Sequence, residues 1–392
     1  MRSEARRLDL VIEGKGAFGE RVLIGIGDGR FESADSLASP RRIEWKGGIV
    51  VPGLLNAHDH LDFNHYPRLG KGGYASFRHW MEDVEGPGDP ALENFRRLPK
   101  EDRLLWGAYK NLLGGTTTVV HHNPPHPSFG APLFPVRVVV TRWAHSLHLE
   151  KDPVSRFREG SHDSPFVIHG AEGVDEESRR EVGRLANLGL LGPASWIVHG
   201  LALGPRELAT IRDSGTGIIW CPSSNLFLYG KTLRKEAFGL GIPILLGTDS
   251  TASGQGDLLE ELRIALATRL ASREELFDMV TVRPAAALAG CESSRSSGRL
   301  SPGALADLVL LSSGNLFASS RKDLALVLRE GIPLAGDPSF EPLFREAGVG
   351  FDRVVVDGAE KLVVAGLRAL LERTRRRLPE CDTFFGARIE CR

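Results

Sequence analysis

Six residues sit at or just beyond the ends of short apolar runs and carry side chains able to bind a metal ion or move a proton. His58 and His60 close the run from Ile49 to Ala57. In an extended strand residues two apart face the same way, so both imidazoles enter one space, where neutral ring nitrogens can grip a borderline divalent cation. His169 ends Phe166-Val167-Ile168 and is followed three residues later by Glu172; His199 ends Trp196-Ile197-Val198; Asp249 ends Ile244-Leu245-Leu246-Gly247-Thr248. A lone histidine pair carries little weight, because so short a pattern arises by chance. Four separate strand ends bearing the same kind of chemistry carry more, since parallel α/β barrels place their working residues at the C-terminal ends of strands.

The elements needed to position these residues follow from periodicity and punctuation. Residues 8–45 alternate short β-like runs with Gly-rich turns, as in half of a small β-sandwich. A barrel is expected to begin at Ile49. A helix over 100–113 carries Leu104, Leu105, Ala108 and Leu112 on one face and stops at Gly114-Gly115. Strand two, 116–120, delivers His121, His122 and Asn123 to the same rim, and strand three covers 136–140. Only residues 143–165 separate strand three from the strand at 166–169, too few for a regular unit of roughly 30 residues, so the fourth unit is expected to be abbreviated or irregular. Beyond it strands and helices alternate regularly, which implies a parallel sheet. Helices are expected over 258–271 and 273–288. Residues 361–378 are read as an amphipathic helix whose basic end, Arg373 to Arg377, is solvated.

The stretch Pro52-Gly53-Leu54-Leu55-Asn56-Ala57-His58-Asp59-His60, then His169-x-x-Glu172, then His199 and Asp249, resembles the mononuclear amidohydrolases, in particular their heterocycle deaminase and chlorohydrolase branch, over most of residues 8–315. The resemblance implies an α/β fold: a distorted (β/α)8 TIM-type barrel over 49–299, with an accessory β-sandwich built from 1–48 and 300–392. It implies one divalent ion held by His58, His60, His169 and Asp249, zinc first and iron second, with an open position for water. Glu172, His199 and Asp249 form the implied catalytic set: Glu172 as proton shuttle, His199 polarising the substrate or holding the attacking water. Arg68 could clamp a substrate carboxylate, and His121 and His122 stand where many relatives carry an acidic or small residue. Asn225, in Cys221-Pro222-Ser223-Ser224-Asn225, resembles a site-supporting or substrate-contacting position. No lysine ends a plausible fourth strand, which disfavours a carbamate-bridged metal pair.

The function so implied is hydrolysis of a non-peptide carbon–nitrogen bond, chiefly deamination of a heterocyclic amine by a metal-activated water. Ring opening of a cyclic amide, similar to imidazolonepropionase, is the alternative, and a non-catalytic assembly protein on the same fold the third reading. Composition fits a small-molecule enzyme: 392 residues, 42% hydrophobic, 25% charged and a net charge of -1 give no basis for a nucleic-acid or membrane partner. A homo-oligomer stays open. Met1 to Arg7 lacks the apolar segment of a signal peptide, and no apolar run is long enough to span a bilayer, so a cytoplasmic location is expected. Cys221, Cys291, Cys381 and Cys391 are too scattered for a zinc ribbon or a disulfide framework.

Overall fold

The apolar run that leads to the two histidines is cut in two by Pro52 and Gly53, and its halves enter different sheets. Four strands come first: β1 (Leu10–Lys15), β2 (Arg21–Gly27), β3 (Arg30–Glu32) and β4 (Arg41–Pro52). Ile49, where the barrel was expected to begin, lies inside β4; the first barrel strand is β5 (Leu54–Asp59). Gly53 makes the crossing possible, since a Cβ there would sit 2.3 Å from Thr117 Oγ1 and 2.9 Å from Asp307 Cβ. The computed structural model describes residues 5–85, 90–161, 163–291, 296–379 and 383–391; Cys381 and Met1 to Glu4 lie outside them.

The barrel wall continues with β6 (Thr116–His121), β7 (Arg137–Val139), β8 (Arg142–Ser146), β9 (Phe166–Gly170), β10 (Ser195–His199), β11 (Gly217–Trp220) and β12 (Ile244–Leu246). Every ladder in it is parallel, in two runs, β5-β6-β7 and β12-β11-β10-β9-β8. The runs join at one seam through the amides of Thr248 and Asp249, which donate to the His58 carbonyl at 3.0 and 3.1 Å. Gly247 permits that approach, because a Cβ there would lie 2.7 Å from His58 Cβ. At the other seam β7 passes to β8 through Val140 and Thr141 alone. The fourth unit is abbreviated as expected, with a six-residue helix, Pro153–Arg158, and the unit before it is shorter still: the helix that would join strands three and four is replaced by a two-residue bend. Strand β8 escaped the sequence reading because Arg142-Trp143-Ala144-His145-Ser146 alternates buried and half-buried positions, whereas strands of a parallel sheet usually read as continuous apolar runs.

The accessory part gathers both sequence ends into one eleven-stranded sheet, adding β13 (Leu308–Leu311), β14 (Leu324–Arg329), β15 (Ile332–Gly336), β16 (Phe351–Val356), β17 (Ala359–Val364), β18 (Thr383–Phe384) and β19 (Ala387–Cys391) in the order β18-β19-β16-β17-β15-β14-β13-β4-β1-β2-β3. The far half of β4, Ile49 to Pro52, pairs with β13. The helix expected over 361–378 starts only at Leu367 and ends at Arg377; residues 361–364 belong to β17, paired with β16 and β15, and Gly366 at φ 127° makes the turn between them. Pairing with two strands overrides a helical pattern built on Val363 and Leu367. The basic helix end is partly spent: Arg373 pairs with Asp102 at 2.8 Å and Arg375 donates to the Ile389 carbonyl. The expected helix over 273–288 is two helices, Arg273–Met279 and Val282–Ala287. Among the described residues no helix is long and apolar enough to cross a membrane.

Candidate active site

His58, His60, His169 and Asp249, far apart in sequence, meet at the barrel rim. All four are buried, His58 completely. His60 Nε2 lies 3.3 Å from His169 Nε2, and Asp249 Oδ1 lies 3.8 Å from His58 Nε2 and 3.7 Å from His60 Nε2. His58, His60 and Asp249 each bring a donor atom within 4.8 Å of the other two. The His145 carbonyl, 2.7 Å from His169 Nδ1, can only accept, so Nδ1 carries the proton and Nε2 keeps its lone pair. Both ring nitrogens of His58 and Nδ1 of His60 are buried without a partner. A borderline cation among them would take the lone pairs that the protein leaves unmatched at His58 and His60. Three imidazoles and a carboxylate are the donor set of a borderline divalent ion, so the residues present fit the expected metal.

Electrostatics agrees. Burial, reinforced by neighbouring histidines, pushes His58 and His169 well below the ordinary imidazole range and keeps them neutral. Burial alone would raise Asp249, but His60, His199 and the hydroxyls of Ser253 and Ser224 hold it below the ordinary carboxylate value. Those hydroxyls donate to Asp249 Oδ2 at 2.7 and 2.9 Å. Glu172 behaves oppositely: desolvation raises its pKa, so its carboxyl holds a proton more readily than an exposed one. Its Oε1 is 3.5 Å from His199 Nε2 and accepts a 2.8 Å hydrogen bond from the Tyr229 hydroxyl. His199 and Asp249 both adopt positive φ, 73° and 54°, a conformation that side chains other than glycine's occupy at some cost and that often marks functional strand ends.

One eight-residue helix, Pro222–Tyr229, braces three of these groups. Pro222 at its first position and Gly230 in the left-handed region just past its end define it. Ser224 holds Asp249, Asn225 Oδ1 accepts from His199 Nδ1 at 2.9 Å, and Tyr229, one turn on from Asn225, reaches Glu172. Asn225 thus sits behind His199. Tyr229 went unrecognised in the sequence, although its i, i+4 spacing from Asn225 was legible.

The remaining sequence candidates scatter. Arg68 is exposed; its Nε and Nη2 donate to the Gly254 carbonyl and its guanidinium lies 4.6 Å from the Phe227 ring, so it fastens the 254–255 loop and leaves the expected carboxylate clamp without geometric support. His121 turns away from the cluster, accepting from the Leu61 amide at 3.3 Å and meeting Phe129 edge-on. His122, its neighbour on the opposite face, joins the cluster, with its ring 4.6 Å from that of His169 and 5.0 Å from that of His58. His145, which the sequence reading passed over, stacks on His169 at 4.8 Å. The first half of the loop after β5 is buried: Asn64 hydrogen-bonds Asp59 and Lys110, and the His65 ring faces the Phe95 carbonyl.

The model of the amidohydrolase family matches residues 144–358. Among curated proteins, 8-oxoguanine deaminase from Pseudomonas aeruginosa is 33% identical over 227 residues, covering 53% of this chain and 46% of that protein. A 5-methylthioadenosine/S-adenosylhomocysteine deaminase from Symbiobacterium thermophilum is 27% identical over 366 residues, 77% of this chain and 82% of that one. The chain spans less than half the length of the Pseudomonas relative and 38% of a Pyrococcus furiosus 5-methylthioadenosine/S-adenosylhomocysteine deaminase. Among solved structures, an adenosine deaminase from Xanthomonas campestris with bound zinc shares the fold at a TM-score of 0.69 and 18% identity, covering 95% of this chain and 98% of that one. With a family model spanning more than half of its residues, this chain belongs to the amidohydrolase family.

Proposed function

We propose that this protein is a metal-dependent hydrolase that removes ammonia from a heterocyclic amine. His58, His60, His169 and Asp249 hold one divalent ion, with zinc the first choice. When bound, such an ion supplies the Lewis acidity that makes water a competent nucleophile near neutral pH. The barrel that begins at Leu54 supplies the chemistry and the sheet from both sequence ends braces it.

The observation that carries this reading is the pairing of a desolvated Glu172 with His199 beside the ligand cradle, Glu172 Oε1 being 3.5 Å from His199 Nε2. Deamination adds water to the ring carbon bearing the amine, so one group must carry two protons in turn, the first from the attacking water to a ring nitrogen and the second from the newly added hydroxyl to the departing ammonia. Glu172 suits that traffic, because Tyr229 occupies Oε1 and leaves Oε2 for the moving proton. His199, fixed by Asn225, directs Nε2 at the tetrahedral centre, where charge develops. The relatives are named for deaminating 8-oxoguanine and 5-methylthioadenosine or S-adenosylhomocysteine. Each of these contains an aminopurine, so aminopurines are the first class to screen.

Ammonia release measured against product mass tests the reading. Loss of one ammonia per water consumed is expected; a product heavier by one water with no ammonia would replace deamination by ring opening. Elemental analysis should find about one divalent ion per chain, and two tightly held ions would remove the mononuclear assignment.

A further inference from the structure

His122 is left over by the proposed chemistry. It follows β6 directly, is 1% exposed, and sits among the ligands. Its Nε2 lies 3.0 Å from the Ala144 carbonyl, an acceptor only, so that nitrogen carries the proton. Its Nδ1 keeps the lone pair and is buried with no hydrogen-bond partner. His65, His121 and His145 also bury an unpartnered ring nitrogen, so what marks His122 is its grouping with His58 and His169. One nitrogen of each of His58, His122 and His169 lies within 4.8 Å of the others, a second potential ligand triad that shares His58 with the first. The arrangement repeats that of His169, whose far nitrogen also donates to a carbonyl of β8 while the near one faces the cradle. Carbonyl-anchored imidazoles of this kind are how metal-binding histidines are held.

We propose that His122 is an additional protein ligand of the ion, entering through its triad with His58 and His169, which shares His58 with the triad of His58, His60 and Asp249. The inference rests on the metal-hydrolase reading above. It raises the coordination number above the four-coordinate geometry usual for zinc, and it favours ions that accept five or six ligands from a nitrogen-rich set. His121 provides the internal control, being adjacent, equally buried and turned the other way.

The test is competitive chelator titration of the full chain with zinc and with cobalt(II), together with a structure of the metal-loaded wild type. His122→Ala is expected to weaken binding by more than roughly a hundredfold, beyond the 10–100-fold that losing an outer-shell partner typically costs, and the loaded structure should place a His122 nitrogen about 2.0–2.2 Å from the ion. His121→Ala should leave the affinity within about threefold, as befits a site outside the ligand shell. Should the alanine variant not fold, His122→Gln, which keeps a donor for the Ala144 carbonyl, is titrated in its place. An ion bound by the wild type with a His122 nitrogen beyond bonding distance, or with affinity little changed in the variant, overturns this inference alone. A wild type that binds no ion overturns the hydrolase reading itself.

Discussion

Two buried polar clusters lie within a few residues of each other on β5, and they are finished differently. In the first, Asp59 and Lys110 form an ion pair at 3.0 Å with both side chains fully buried. Asp59 also accepts from Asn111 at 2.6 Å and Asn64 at 2.7 Å, while Lys110 reaches Asn64 Oδ1, Thr248 Oγ1 and the Asp249 carbonyl. Its charges and amides are all matched. In the second, His58, His60 and His122 retain buried nitrogens that nothing in the protein satisfies. A closed network needs no guest and serves to lock β12 against β5. An open cluster of imidazoles beside a carboxylate has the chemistry of a cation site, a difference that burial alone does not reveal.

The largest expected effect sharpens this distinction on the functional side. Glu172→Gln should lower turnover by roughly two to four orders of magnitude, the usual worth of a positioned acid or base, while ion content and thermal stability stay as in the wild type. A variant that keeps near-normal turnover on a true substrate removes Glu172 from the proposed chemistry. On the structural side, Lys110→Met leaves Asp59 charged, buried and unpaired, and should destabilise the fold by about 3–5 kcal/mol in denaturant titration. A neutral outcome would mean that Asp59 is as open as the histidines.

A subtler contrast lies behind the bracing helix. Glu261 accepts from the Ser223 amide and hydroxyl, and burial raises its pKa from 4.5 to about 8. The folded chain then binds this proton more tightly than the unfolded one, so the stability it contributes is complete below pH 4.5 and is lost as pH rises through 8. The slope is at most about 1.4 kcal/mol per pH unit, and Glu261→Gln should flatten it. An unchanged stability profile in the variant would show that Glu261 is not the titrating group. The smallest effect belongs to Arg68→Ala, expected to change stability by less than about 0.5 kcal/mol and turnover less than roughly twofold. A large rise in KM would return Arg68 to the substrate.

The ligand order could be read from the chain because strand ends carry their own signature: an apolar run halted by a histidine or aspartate is visible without coordinates, and so is Glu172 three residues past His169. The closed network was harder to see. Lys110 and Asn111 interrupt the apolar second half of the helix Lys100–Leu113, and Asp59 stands between the two histidines, but a polar residue on a helix is by default solvated. Tyr229 and His145 left fainter traces, one a spacing on a helix too short to recognise, the other a place on a strand without an apolar run.

Local pattern thus determined the barrel, the family resemblance and the candidate ligands, since each rests on short strand-end stretches that carry their own signature. Only tertiary structure decided the rest: that the run from Ile49 is shared between two sheets, that a two-residue bend replaces a crossover helix, that His122 faces the cradle while His121 turns away, and that Arg68 is held by a loop. Those outcomes depend on which strands become neighbours, and pairing between distant segments is set by packing across the whole barrel, which a single stretch of sequence does not carry.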